Sequence, residues 1–207
     1  MGPSKLDEIL KDKRVALVGN ATSLLDHDLG EEIDSYDVVI RMNRVVENLD
    51  PKKQGKRTDV LFFARPIGNF NQIDFQLAIW TCAPSEFTMR HSGYNISDDK
   101  MDKLEFFPQD QRMYMKHCMF EGCFPTTGFI AVQHTIFRDY KEMWMFGFDG
   151  FKTGSIVTGQ NNSWKWHRPD LEEIEINNMI ERNTYLRGRS WLSTSTDSQT
   201  LTQPKDS

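Results

Sequence analysis

Two apolar runs that end in turn residues constrain this chain most. Val15-Ala-Leu-Val-Gly19-Asn20 reads as a buried strand that passes straight into a Gly-Asn turn. Val38-Val-Ile-Arg-Met-Asn43 reads as a second buried strand ending on polar residues. Continuous apolar strands of this kind belong in a parallel sheet covered on both faces. The ends of such strands open onto a ligand crevice. An asparagine there can read a base, a ribose or a phosphate, because its amide both donates and accepts.

Two further segments carry chemistry. Phe124-Pro-Thr-Thr-Gly-Phe129 precedes an apolar helical stretch. Thr126 and Thr127 sit where helix caps sit, and Gly128 allows a close backbone approach. The free N–H groups of such a helix start suit a phosphate or a carboxylate. The strand that follows, Met143–Phe148, leads through Gly147 to Asp149. His167-Arg-Pro-Asp-Leu-Glu172 places a histidine before a proline-started, acid-rich helix.

In this order the four segments resemble the sialylmotifs of glycosyltransferase family 29, the sialyltransferases. Val15–Asn43 resembles the large motif and Pro125–Gly147 the small motif. His167 and Glu172 match the His-x4-Glu of the very small motif. The bacterial sialyltransferases of family 42 share a similar layout. The resemblance implies an inverting, metal-independent transfer of sialic acid, or a related acid such as Kdo, from a CMP-sugar to a glycan hydroxyl. It implies His167 as general base and Glu172 as support for the motif. Gly19, Asn20, Asn43, Thr126, Thr127, Gly128, Gly147 and Asp149 are the implied donor-binding residues. The implied partners are the CMP-sugar, as co-substrate, and a carbohydrate acceptor. The acceptor is expected over the aromatic- and Met-rich loops between Arg65 and Gly122, which the resemblance does not cover and which suit a satellite core equally well. No cofactor and no metal are expected.

The chain departs from the family in places. The animal enzymes open the large motif with a bridged cysteine, and here that position is Val15. The family's second histidine is missing between Phe148 and His167, with Lys165 or Arg168 as substitutes. Family 42 carries a tyrosine after the small-motif strand, where this chain has Phe151.

Other readings stand beside these. Asn20 and Asn43 also suit plain turns, Thr126 and Thr127 plain caps, and Glu172 a plain first-turn acid. His167 by position alone reads as a surface or cap histidine, and His134 as packing. Asp26-His27-Asp28 imitates a metal-binding Asp-x-Asp but falls in an expected helix, Leu24–Ile33, so it reads as a solvated face. Lys52-Lys53-Gln-Gly-Lys56-Arg57 reads as a solvated loop. A non-catalytic nucleotide- or glycan-binding domain is the alternative function. An unrelated Rossmann-like enzyme such as a methyltransferase is a third, disfavoured by the missing Gly-x-Gly-x-x-Gly.

The 207 residues fit one domain, and a net charge of −5 argues against a nucleic-acid surface. No stretch reaches the roughly 20 apolar residues of a membrane span, and Met1–Leu10 lacks the apolar core of a signal peptide. Three irregularly spaced cysteines, Cys82, Cys118 and Cys123, form no disulfide framework or zinc pattern. A cytoplasmic, microbial or virus-encoded protein, or one separated from its anchor, is expected. The expected fold is α/β: a single-domain Rossmann-like three-layer sandwich with a mostly parallel sheet, the sialyltransferase-type variant of the GT-A fold. It spans residues 1–192, with a disordered tail over 193–207.

Overall fold

A computed structural model describes residues 2–82, 95–157, 166–187 and 192–193, without the side chains of 184–187 and 192–193. Among the described residues seven strands lie in one sheet: β1 (Arg14–Val18), β2 (Val38–Met42), β3 (Val60–Phe63), β4 (Leu77–Trp80), β5 (Leu104–Phe106), β6 (Glu142–Phe146) and β7 (Leu192–Ser193). Their order is β5-β4-β3-β2-β1-β6-β7. Every pairing is parallel. The order reverses at β1, which lies between β2 and β6, so the crevice of a doubly wound sheet opens at its C-terminal end. Asn20, Asn43 and Gly147 all follow strands that meet there.

Alternation along the strands sends side chains to two covered faces. Val15, Leu17, Ile40, Met42, Phe62 and Ile79 join one core with Leu6, Leu10, Phe129 and Val132. That face is covered by helix α1 (Lys5–Leu10) and by helices described below. On the other face, Ala16, Val18, Val39 and Phe146 pack with Leu24, Ile33 and Tyr36. Leu61, Phe63, Ala78 and Trp80 pack with Ile67, Phe70 and Phe75. The expected three layers are therefore present.

The expected helix over Leu24–Ile33 is two short pieces instead, a 3-10 turn (Thr22–Asp26) and α2 (Gly30–Asp34). His27 between them is extended. Gly30 lies so close to the next helix, α3 (Pro51–Gln54), that a Cβ would stand 1.8 Å from the Pro51 carbonyl oxygen. That contact fixes where α2 begins. Nor is the Lys52–Arg57 segment only a solvated loop. Lys52 and Lys53 both pair with Asp28 at 2.7 Å. The Arg57 guanidinium donates to the carbonyls of Asp34 and Tyr36 at 2.8 and 2.6 Å. The sequence reading also missed α4 (Asp98–Met101), the edge strand β5, α5 (Gln109–Tyr114) and the π-helical turn Met115–Met119.

The two remaining helices carry the candidate site. Helix α6 (Thr127–Thr135) begins at the C-terminal end of the sheet. Helix α7 (Pro169–Arg187) packs beside it through Met179. Of the expected tail, Ser193 is the last residue of β7, and residues 194–207 lie outside the described residues. Cys82, Cys118 and Cys123 are free thiols. No helix among the described residues is long and apolar enough to cross a membrane.

Candidate active site

The strand-end turns are built by the two asparagines themselves. Asn20 follows β1, and its Nδ2 donates to the Met42 carbonyl at 3.3 Å, tying the β1 end to the β2 end. Asn43 follows β2 with φ of 58°, a left-handed conformation that asparagine tolerates better than most residues. Its Oδ1 accepts from the Ala64 N–H at 3.2 Å, tying β2 to β3. Each asparagine thus spends one end of its amide on the scaffold. The Oδ1 of Asn20 is shielded and has no partner among the described residues. A shielded acceptor without a partner calls for an explanation, and at a strand end in the crevice a ligand donor supplies one.

Gly19 and Gly147 let β1 and β6 converge. The Gly19 N–H donates to the Phe146 carbonyl at 2.7 Å. A Cβ on Gly19 would stand 2.3 Å from the Gly147 carbonyl oxygen, and Gly147 itself has φ of 65°. Asp149 lies just beyond. Its Oδ2 accepts from the Thr153 N–H at 3.1 Å and from the hydroxyls of Ser23 and Thr153, while its Oδ1 is shielded without a partner among the described residues. Half of this carboxylate organises the turns around the crevice. Nothing in sequence spacing pointed to Ser23 and Thr153 as its partners.

The start of α6 is a helix end suited to an anion. Thr126 is the N-cap, and its hydroxyl accepts from the Phe129 N–H at 3.0 Å. The Ile130 N–H bonds the Thr126 carbonyl. The N–H groups of Thr127 and Gly128 have no acceptor among the described residues. Both point from the positive end of a nine-residue helix. Gly128 lies near Met42 and Phe148, so this end faces the strand ends that carry the asparagines.

Three hydrogen bonds and a backbone contact lock the last motif to this helix start. Glu172 in the first turn of α7 accepts from the Thr126 N–H at 2.7 Å and from its hydroxyl at 2.6 Å. Glu172 is 4% exposed, and burial pushes its carboxyl up to about 7. It is therefore more than a first-turn acid, since it holds the cap of another helix. The Phe124 N–H donates to the Trp166 carbonyl at 3.1 Å. His167 then sets Nδ1 2.7 Å from the Phe124 carbonyl. A carbonyl only accepts, so Nδ1 carries the proton and Nε2 keeps its lone pair. Burial lowers the His167 pKa below its ordinary value, outweighing the Phe124 bond, and the Arg112 charge lowers it further. The result is a positioned, neutral imidazole with one basic nitrogen.

The other candidates are accounted for. His134 packs edge-on against Phe62 and Phe107, and burial drops its pKa to about 4. Asp28 is engaged by two lysines, as described. Arg168 pairs with Glu121 and Asp170, and Lys165 lies outside the described residues. The sequence reading passed over Arg41, a guanidinium with 0% exposure inside the apolar run of β2. It donates to the carbonyls of Arg57 and Gln54 at 2.7 and 2.6 Å, bracing the loop behind Asn43. The charge within Val-Val-Ile-Arg-Met was a usable signal, because a buried arginine must find acceptors.

The model of glycosyltransferase family 29 (sialyltransferase) matches residues 8–76, which hold β1 to β3 and both strand-end asparagines. No curated protein sequence matches the chain significantly. Solved structures do. A mammalian sialyltransferase in complex with Gal-β-1-3GalNAc-ortho-nitrophenol shares 17% identity with a TM-score of 0.54, over 88% of this chain and 71% of that one. A second crystal structure of a mammalian sialyltransferase gives 16% and 0.56, over 86% and 74%. A variant of the sialyltransferase CST-II in complex with CMP gives 17% and 0.54, over 87% and 80%. At such identities the likeness to solved structures establishes the fold, and the family likeness rests on the matched segment, about a third of the chain. By that segment the chain is similar to glycosyltransferase family 29 (sialyltransferase), and by its fold it is similar to solved sialyltransferase structures.

Proposed function

We propose that this domain transfers sialic acid, or a related acid such as Kdo, from a CMP-sugar to a glycan hydroxyl with inversion, and without a metal. The observation that carries this reading is the locked pair of motifs, in which His167 and the free start of α6 hang from the same segment, Phe124–Thr126. A base and an anion-binding helix end held on one short peptide suit a reaction between a hydroxyl and a carboxylate-bearing sugar.

In this reading the CMP moiety lies in the crevice, where Asn20 Oδ1 and Asn43 Nδ2 meet it and Gly19, Gly147 and Asp149 shape the floor. The donor carboxylate meets the N–H groups of Thr127 and Gly128. Nε2 of His167 takes the proton of the acceptor hydroxyl. That oxygen attacks the anomeric carbon from the face opposite the nucleotide. The bond from carbon to the phosphate oxygen breaks, and its electron pair leaves with CMP. Glu172 positions the cap and touches no reacting atom. A monophosphate carries less charge to neutralise than a diphosphate, and oriented N–H groups suit that task.

Nucleotide binding and CMP release test the proposal in sequence. Cytidine nucleotides raise the melting temperature where adenine and guanine nucleotides do not. CMP is then released from CMP-sialic acid in step with glycan product. Stabilisation by CMP without any release assigns the chain to the non-catalytic binding reading, which the missing histidine between Phe148 and His167 favours. No stabilisation by CMP removes both.

A further inference from the structure

We infer that Arg112 and Lys116 form an anion-binding pair beside His167, and that the acceptor glycan carries a negatively charged group seated there. This rests on the reading of His167 as the base facing the acceptor.

The guanidinium of Arg112 and the ammonium of Lys116 lie 4.2 and 4.3 Å from the centroid of one ring, that of Phe124. Phe124 is the residue whose carbonyl fixes His167. Neither cation has an acidic partner among the described residues. The Nε–H of Arg112 is also shielded and meets no acceptor among the described residues. Two like charges four residues apart on a helical segment repel each other. An aromatic face offsets only part of that cost. In an acidic chain of net charge −5, such a pair next to a basic imidazole is a local conflict. Conflicts of that sort gather at functional sites. Lys116 also lies in the π-helical turn Met115–Met119, a geometry that recurs at such sites.

Position decides which anion. Helix α5 leans on the end of β4, where Gln109 Nε2 bonds the carbonyls of Thr81 and Phe107. The charges of Arg112 and Arg65 both act on Cys82, just past β4. The asparagines and Gly147 stand at β1, β2 and β6. With β3 between β2 and β4, the cation pair lies along the sheet from the nucleotide turns, near enough to His167 for the Arg112 charge to lower its pKa. An anion there belongs to the acceptor.

The test is titration calorimetry of the CMP-loaded protein with lactose and with sialyllactose, which differ by one carboxylate-bearing sugar. The charged glycan binds about tenfold more tightly, the scale of one charge-assisted hydrogen bond. The preference shrinks as salt rises from about 0.02 to about 0.5 M. It falls toward unity in the Arg112→Gln/Lys116→Gln double variant and is largely kept in Arg112→Lys, while CMP affinity stays within about twofold. Equal binding of the two glycans by the parent protein, binding of neither, or an unchanged preference in the double variant overturns the inference. So does a loss of CMP affinity, which would give the pair to the donor. CMP binding and release are measured on the same samples, so failure of the donor reading is seen separately.

Discussion

In the proposed reaction, His167 concentrates the chemistry at one atom. The Phe124 carbonyl fixes its tautomer, and burial keeps it neutral. His167→Ala lowers turnover by roughly 10²–10⁴-fold, the range for a lost positioned base, with little change in CMP affinity. The pH profile carries a sign. A base acts when unprotonated, so rate falls on acidification. Because the folded pKa lies below the ordinary 6.5, that acid limb lies below 6.5 too. A limb above 6.5, or near-normal turnover in the alanine variant, removes His167 from this role. Asn43 makes a different kind of contribution. Its Oδ1 serves Ala64, so Asn43→Ala loosens the turn as well as removing the proposed donor contact. CMP affinity falls by roughly 1–2 kcal/mol, measured by calorimetry on a variant with intact circular dichroism. Asn43 stood out in sequence because it closes an apolar run, whereas His167 stood out only through the His-x4-Glu spacing of the resemblance. Arg112 did not stand out. Its significance arises from meeting Phe124, twelve positions away, and a lone arginine in a polar stretch has no pattern.

At the scale of elements, the decisive contact is Glu172 on the cap of α6. Glu172→Ala leaves the buried N–H and hydroxyl of Thr126 without their acceptor, at about 1–3 kcal/mol for each unsatisfied group. Glu172→Gln keeps an acceptor and costs less. The raised pKa gives a further signature. The unfolded carboxyl titrates near 4.5 and the folded one at about 7, so between them the folded state binds more protons. Stability from this group is full below about 4.5 and is lost as pH rises through about 7. Denaturant melts across that range show the decline in the parent protein and a flatter profile in Glu172→Gln. Parallel slopes would place the titration elsewhere. The helix starts were legible because caps are local: Pro-Thr-Thr-Gly and Pro169 announce α6 and α7 within a residue or two. β5 and α5 were not. β5 is three half-buried residues, Leu-Glu-Phe, too few to show a period, and its strand character comes from pairing with β4. The broken helix after β1 was misread because Gly30 answers to Pro51, a contact no local window contains.

Over the whole molecule, the site is a seam between strand ends that only the complete sheet brings together. Asn20 bonds the end of β2, Gly19 bonds the end of β6, and Glu172 reaches from α7 to α6. The layered fold was legible from strands alternating with helices, whereas these cross-ties depend on strand order, which periodicity does not encode. Closure of the seam is a packing requirement as well as a binding one. A methyl on Gly19 would stand 2.3 Å from the Gly147 carbonyl, so Gly19→Ala must push β1 and β6 apart at the crevice. The backbone cannot yield there without breaking the Gly19 bond to Phe146. A loss of more than about 1 kcal/mol of stability follows, together with weaker CMP binding, because the same displacement moves Asn20. The two effects separate by ligand linkage. CMP at about 100 times its dissociation constant adds about 2.7 kcal/mol to the parent protein, a rise of roughly 5–10 °C at this chain length. Gly19→Ala melts earlier without ligand and gains less from the same CMP concentration. An unliganded melt equal to the parent's would show that the two strand ends have room to spare. The tight approach of Gly19 and Gly147 would then have no part in holding the crevice.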